Sequence, residues 1–191
     1  MRLEVLDRGH PLPTKALFGV IRLVTRQPVV DAVKLALYRR QFYGAGPLTH
    51  EAMRGRSEWS VGDRELMAAY ISQANDCAFC VAAHSATSGQ WYGDASKVAA
   101  TLADLDTAPI GEPLRATLRL LGKLTREQRI DADDIHAVVA EGVSASQVRD
   151  ALAVFLAFDI TNRLANAFGF AVAGPEAMNA GARHLLRRGY R

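Results

Sequence analysis

Glu65-Leu66, followed by Ser72-Gln73-Ala74-Asn75-Asp76-Cys77-Ala78-Phe79-Cys80-Val81-Ala82-Ala83-His84, decides how this 191-residue chain reads. From Val61 to Ala74 the apolar positions Leu66, Ala69, Tyr70 and Ala74 recur at helical spacing. Ser60 is placed to cap that helix, with Asp63 in its first turn. Asn75-Asp76 reads as a short connection, and a second helix follows from about Cys77 to Tyr92, where Gly93-Asp94 interrupts it. If the two helices form an antiparallel hairpin, a register follows. Glu65 lies ten positions before Asn75 and His84 nine after it. Each then stands roughly 14 Å down its helix at ~1.5 Å rise per residue. A carboxylate and an imidazole are expected side by side, an arrangement that fixes the ring's tautomer and raises its basicity.

The cysteines take their meaning from the same geometry. Cys77 and Cys80 are three positions apart and share a helix face, and Cys80 and His84 are four apart and share one too. The thiolate is the reactive form of cysteine, yet a free thiol with a pKa of ~8.5 is mostly protonated at neutral pH. A first-turn position and a nearby imidazole both favour the charged form. The expected chain of contacts runs Glu65 to His84 to Cys80, with room for a water. A second cysteine within reach can trap an oxidised sulfur as a disulfide before it climbs to the sulfinic stage. These are the only two cysteines in the chain. So local a bridge would restrain little of the unfolded state, which argues for chemistry rather than stapling.

Outward from this hairpin, helical periodicity continues and no strand alternation stands out. Helices are expected at 14–25, 29–43, 95–105, 112–125, 132–141, 145–172 and 175–188, with Pro28 suited to a helix start. Gly44-Ala45-Gly46-Pro47 reads as a breaker, and 47–59 is weakly patterned. Asp131 reads as an N-cap, Ser144-x-x-Gln147 as a capping box and Gly142 as a C-terminal cap. In 145–172 an apolar stripe of Val148, Leu152, Phe155 and Leu156 gives way to Asp159, Asn162, Arg163 and Asn166, expected to be a polar seam satisfied by neighbours. The chain is expected to be one domain, 1–191, with an irregular arm over 1–13.

Composition is that of a globular protein: 49% hydrophobic, 23% charged, net charge +3. The basic excess gathers at Arg183, Arg187, Arg188 and Arg191, a helix end rather than a stripe for nucleic acid. Met1 to His10 has no apolar signal region and no long apolar run suggests a membrane span, so a cytoplasmic protein is expected.

A C-x-x-C following a helix departs from the thioredoxin pattern, in which the motif follows a strand. E-x(11)-C-x-x-C-x-x-x-H between two helices is far more specific. In Glu65, Cys77, Cys80 and His84 the chain resembles the alkylhydroperoxidase AhpD-like family of the carboxymuconolactone decarboxylase superfamily. Ala157-Phe158-Asp159-Ile160-Thr161-Asn162-Arg163-Leu164-Ala165-Asn166-Ala167-Phe168-Gly169 looks like a helix carried by peroxidase-related members. The resemblance implies an all-α AhpD-like bundle, homo-oligomers, and reduction of organic hydroperoxides by the cysteine pair. A dithiol reductant, protein or lipoyl-type, is expected with it, and no cofactor, metal, nucleic acid or membrane is expected from the residues. By the same resemblance Cys80 is the peroxidatic sulfur, Cys77 the resolving one, and His84 and Glu65 the proton relay. Only Cys80 is one helical turn from His84, which agrees. The family member AhpD carries a histidine just before the second cysteine, where this chain has Phe79.

Other readings use the same residues. A disulfide-exchange adaptor or redox sensor needs only the cysteines, and Phe79 keeps it in play. An interaction module needs none of them. A zinc site could take Cys77, Cys80, His84 and Glu65, but structural zinc usually shows two well-spaced ligand pairs and the second is absent. Lactone decarboxylation is disfavoured by the cysteine pair. The histidines His10, His50, His136 and His184 lack ligand spacing and are expected at the surface. Tyr70, Phe155, Phe158, Phe168 and Phe170 are candidates for an apolar pocket wall, though core packing is their default, and Trp91 and Tyr92 share that ambiguity.

Overall fold

A computed structural model describes residues 4–38 and 45–190. Among these residues there are eleven helices and no strand: α1 (Val5–Arg8), α2 (Leu12–Thr25), α3 (Asp31–Tyr38), α4 (Ala45–Arg54), α5 (Val61–Ala74), α6 (Ala78–Tyr92), α7 (Ala95–Ala103), α8 (Glu112–Glu127), α9 (Ala132–Ala140), α10 (Ala145–Phe168) and α11 (Pro175–Arg188).

The α5–α6 hairpin is the spine. The Ser60 N–H donates to the Asp63 carboxylate and the Asp63 N–H to the Ser60 hydroxyl, both at 3.0 Å, in a full capping box that fixes where α5 begins. Asn75 ends it, Asp76 turns the chain through a left-handed conformation (φ 51°), and α6 starts at Ala78. Asn166 on α10 clamps the turn by donating to the Asn75 carbonyl at 3.0 Å. At the opposite end Tyr92 donates to Asp63 at 2.5 Å, and Ser88 donates to the Gly62 carbonyl at 3.0 Å. A Cβ on Gly62 would overlap the Trp91 indole, so only glycine allows the two helices to close there.

Two apolar clusters hold the rest. The larger lies between α5, α8 and α10 and extends to α4, α7 and α9; Leu66, Met67, Ile71, Leu118, Leu121 and Phe158 are fully buried in it. Burial at that level stabilises by about 1.5–3 kcal/mol per large side chain. The smaller surrounds Cys77 and Cys80 and draws Leu6 from α1, Leu35 from α3, Phe79 from α6, Ala165 from α10, Phe170, and Met178 from α11.

Several boundaries differ from the sequence reading. The arm expected to be irregular contains α1, whose Leu6 is fully buried beside the cysteines, and α2 begins at Leu12. The helix expected from 29 starts at Asp31 rather than just after Pro28, and its expected end over 39–43 lies outside the described residues. α4 begins at Ala45, inside the stretch read as a breaker, because a proline in a first turn removes no internal hydrogen bond. α10 stops at Phe168, short of 172, where Gly169 turns left-handed (φ 61°) and the Phe170 N–H returns to the Ala165 carbonyl. His10 is buried against the rings of Phe18 and Tyr38, not at the surface, and His50 is half-buried.

The capping motifs at Asp131 and at Ser144 with Gln147 form as read. The polar seam of α10 is partly shared out: Asp159 pairs with Arg163, and buried Asn162 accepts from Ser72 at 3.0 Å. By length and composition α10 is long and apolar enough to cross a membrane. In this fold it packs Ala151, Val154, Ala157 and Phe158 into the larger cluster.

Candidate active site

The antiparallel hairpin brings Glu65 and His84 together. His84 Nδ1 lies 2.7 Å from Glu65 Oε2, with Glu65 fully buried and His84 nearly so. Burial alone would raise the Glu65 pKa, but the contacts with His84 and Arg54 outweigh it and hold the carboxyl below its ordinary range. Glu65 is therefore an acceptor, which makes His84 Nδ1–H the donor and leaves Nε2 as the ring nitrogen free to take a proton. Phe158 packs edge-on against the imidazole, 4.4 Å between centroids. Of the aromatic residues read as a pocket wall, Phe158 thus backs the histidine and Phe170 backs Phe79 at 5.3 Å; both are core residues.

Cys77 and Cys80 are both free and both buried. Cys77 is the N-cap of α6, and Cys80 is in its first turn. The two thiols influence each other's ionisation. Interaction with Cys80 and with the backbone N–H groups at the start of α6 brings the Cys77 thiol down to about 7 against the effect of burial. The same interaction, together with burial, pushes Cys80 up. The two cysteines therefore titrate as a pair. His84 makes hydrogen bonds to Glu65 and Tyr190 and none to either sulfur. A water or substrate oxygen is needed to link the imidazole to Cys80.

Two residues escaped the sequence reading. Arg54, at the end of α4, places Nη2 2.6 Å from Glu65 Oε1 and also donates to the Leu185 carbonyl at 3.2 Å. Tyr190 donates its hydroxyl to Glu65, 2.9 Å from Oε1 and 3.1 Å from Oε2, and that hydroxyl lies 3.4 Å from His84 Nδ1. Its ring stacks on the imidazole at an interplanar angle of 21° and lies under the Arg54 guanidinium. The only signal for Arg54 was physical: a buried carboxylate calls for a cation. Tyr190 follows Gly189, whose φ of 67° turns the chain back inward. Among the described residues no group of three or more His, Cys, Asp or Glu side chains is placed to hold a metal ion.

No protein-family model and no curated protein matches the chain. Solved structures do. An uncharacterized peroxidase-related protein from Silicibacter sp. TM1040 is 23% identical with a TM-score of 0.75, over 91% of each chain. A second uncharacterized peroxidase-related protein, from Ralstonia eutropha JMP134 and described as an alkylhydroperoxidase AhpD core, is 20% identical with a TM-score of 0.74, over 91% of this chain and 92% of that one. At such identity the likeness is one of fold: the chain has the AhpD-like all-α architecture.

Proposed function

We propose that this protein is an AhpD-like thiol peroxidase that reduces organic hydroperoxides through Cys77 and Cys80. The observation that carries the reading is a buried Glu65–His84 pair at 2.7 Å, with His84 one helical turn beyond Cys80 and both thiols free. When the Cys80 proton passes to Cys77, or through a bridging oxygen to His84 Nε2, the Cys80 thiolate attacks the terminal oxygen of the O–O bond. Cys80 becomes a sulfenic acid, and the departing alkoxide takes a proton from the imidazolium or from water to leave as the alcohol. Cys77 then attacks the sulfenic sulfur, water departs, and the Cys77–Cys80 disulfide forms. A dithiol partner, protein or lipoyl-type, restores both thiols by exchange.

Assembly into homo-oligomers belongs to the same reading. It is supported by α2, whose Leu12, Leu17, Val20, Leu23 and Val24 are exposed while only Phe18 is buried. A cytoplasmic location would keep the thiols reduced.

A disulfide-exchange adaptor is the second reading. It is favoured by the lowered pKa of the Cys77 thiol and by Phe79, which packs on Phe170 where AhpD has a histidine. Mixing reduced protein with one equivalent of an organic hydroperoxide and counting thiols separates the two. Rapid loss of two thiols, abolished by Cys80→Ser and slowed by His84→Ala, is expected of the peroxidase. Slow loss indifferent to His84 would sink it, and fast exchange with a small disulfide would then favour the adaptor.

A further inference from the structure

The Glu65 carboxylate has three donors, not one. Arg54 and Tyr190 share Oε1, His84 takes Oε2, and the tyrosine hydroxyl reaches Oε2 as well. A carboxylate offers about four lone-pair positions, so this one is close to saturated. Each added donor weakens its pull on the His84 proton, and the guanidinium neutralises its charge where water does not. Without that cation, the group left to balance a buried Glu65 charge would be an imidazolium at His84. A histidine held as imidazolium cannot accept the proton of a thiol.

Resting on the peroxidase reading above, we propose that Arg54 and Tyr190 are positioning residues which set the protonation of His84 through Glu65. Tyr190 suits the part. Burial, then the Glu65 charge, raises its hydroxyl pKa well above the ordinary value, so it stays a donor. Its placement is built in as well. Gly189 takes a left-handed φ of 67° where a Cβ would run into the His50 ring, and the Tyr190 N–H donates to His50 Nδ1 at 3.2 Å. Arg54 is fixed by two backbone carbonyls, those of Met53 and Leu185, besides Glu65.

The test pairs a pH profile with a spectroscopic readout on the full chain. Hydroperoxide-driven thiol loss is followed from pH 5 to 9 for wild type, Tyr190→Phe, Arg54→Met and Arg54→Lys, and 15N spectra of the His84 ring are recorded over the same range. Arg54→Met is expected to move the acid limb of the profile upward by about one unit or more, the scale of losing a nearby like charge that disfavours the imidazolium. Arg54→Lys, which keeps the charge, restores most of it. Tyr190→Phe keeps the stacked ring and loses one donor, so a smaller upward shift is expected, roughly threefold in proton affinity. In the 15N spectra the wild-type ring carries its proton on Nδ1, and both Tyr190→Phe and Arg54→Met hold the doubly protonated ring to higher pH. An unchanged ring titration in Tyr190→Phe and Arg54→Met would overturn the proposal. If wild type consumes no hydroperoxide the peroxidase reading falls, while the ring spectra still decide this one. Tyr190→Phe removes a single oxygen, so the test survives if Arg54→Met fails to fold.

Discussion

Helices α5 and α2 have the same length, 14 residues, and opposite fates. α5 is the most enclosed helix of the hairpin, yet it buries Arg64, Glu65 and Ser72. α2 buries Phe18 alone and presents Leu12, Leu23 and Val24 to solvent at 81%, 79% and 76% exposure. Both depart from the ordinary sorting, α5 by burying charge alongside its core residues and α2 by exposing apolar ones. A charge taken into the interior must be matched there, and α5 meets that demand: Arg54 and Tyr190 come to Glu65, while Arg64 donates to the Ala52 and Gly55 carbonyls. Apolar residues left outside meet no such demand within one chain. The contrast separates residues kept for a site from residues kept for a surface.

The hardest blow to that contrast is removal of the carboxylate. Glu65→Ala leaves the Arg54 guanidinium without its partner, and a loss of about 3–5 kcal/mol is expected in denaturant unfolding. A loss below ~1 kcal/mol would mean that α5 is not organised around its charge. Next comes Gly62→Ala, whose methyl must displace the Trp91 indole; about 1–3 kcal/mol is expected from overpacking, read as a fall in thermal midpoint.

Acid sharpens the comparison from another side. The folded Glu65 pKa is depressed, so its stabilisation is fully present above the unfolded carboxylate value of ~4.3 and drains away as pH falls through the folded one. Thermal midpoints of wild type should drop between pH 5 and pH 2 more steeply than those of Glu65→Gln, and parallel curves would contradict the assignment. The smallest effect is expected at α2. Leu23→Ser with Val24→Ser should change the stability of the single chain by no more than ~0.5 kcal/mol. The oligomer proposed on the exposed face of α2 should dissociate in the same variant, and an unchanged sedimentation coefficient would mean that α2 is not its interface.

What could be read in the sequence was what local geometry dictates. Ser60, Asp131 and the Ser144/Gln147 box marked helix starts because caps act within one turn. Glu65 and His84 could be placed level because a short turn between two helices converts sequence distance into height. Arg54 and Tyr190 could not. The tyrosine lies 125 residues from the carboxylate it touches, and the arginine sits in a stretch without clear periodicity. α1 was hidden for a similar reason: a four-residue helix has almost no period to read, and Leu6 earns its place by packing against residues far along the chain. The opposite directions in which the two thiol pKa values move were also out of reach, since they depend on how the sulfurs are buried and face each other.

The wide spacing of the Glu65 partners has a consequence in time. His84 is 19 residues from Glu65 and Arg54 is 11, but Tyr190 lies 106 residues beyond His84. At about 5–20 residues per second, a ribosome needs roughly 5–20 s to cover that interval. A nascent chain can therefore hold its carboxylate, imidazole and arginine well before the tyrosine has been made. The residue that adjusts the network is thus delivered well after the residues it adjusts.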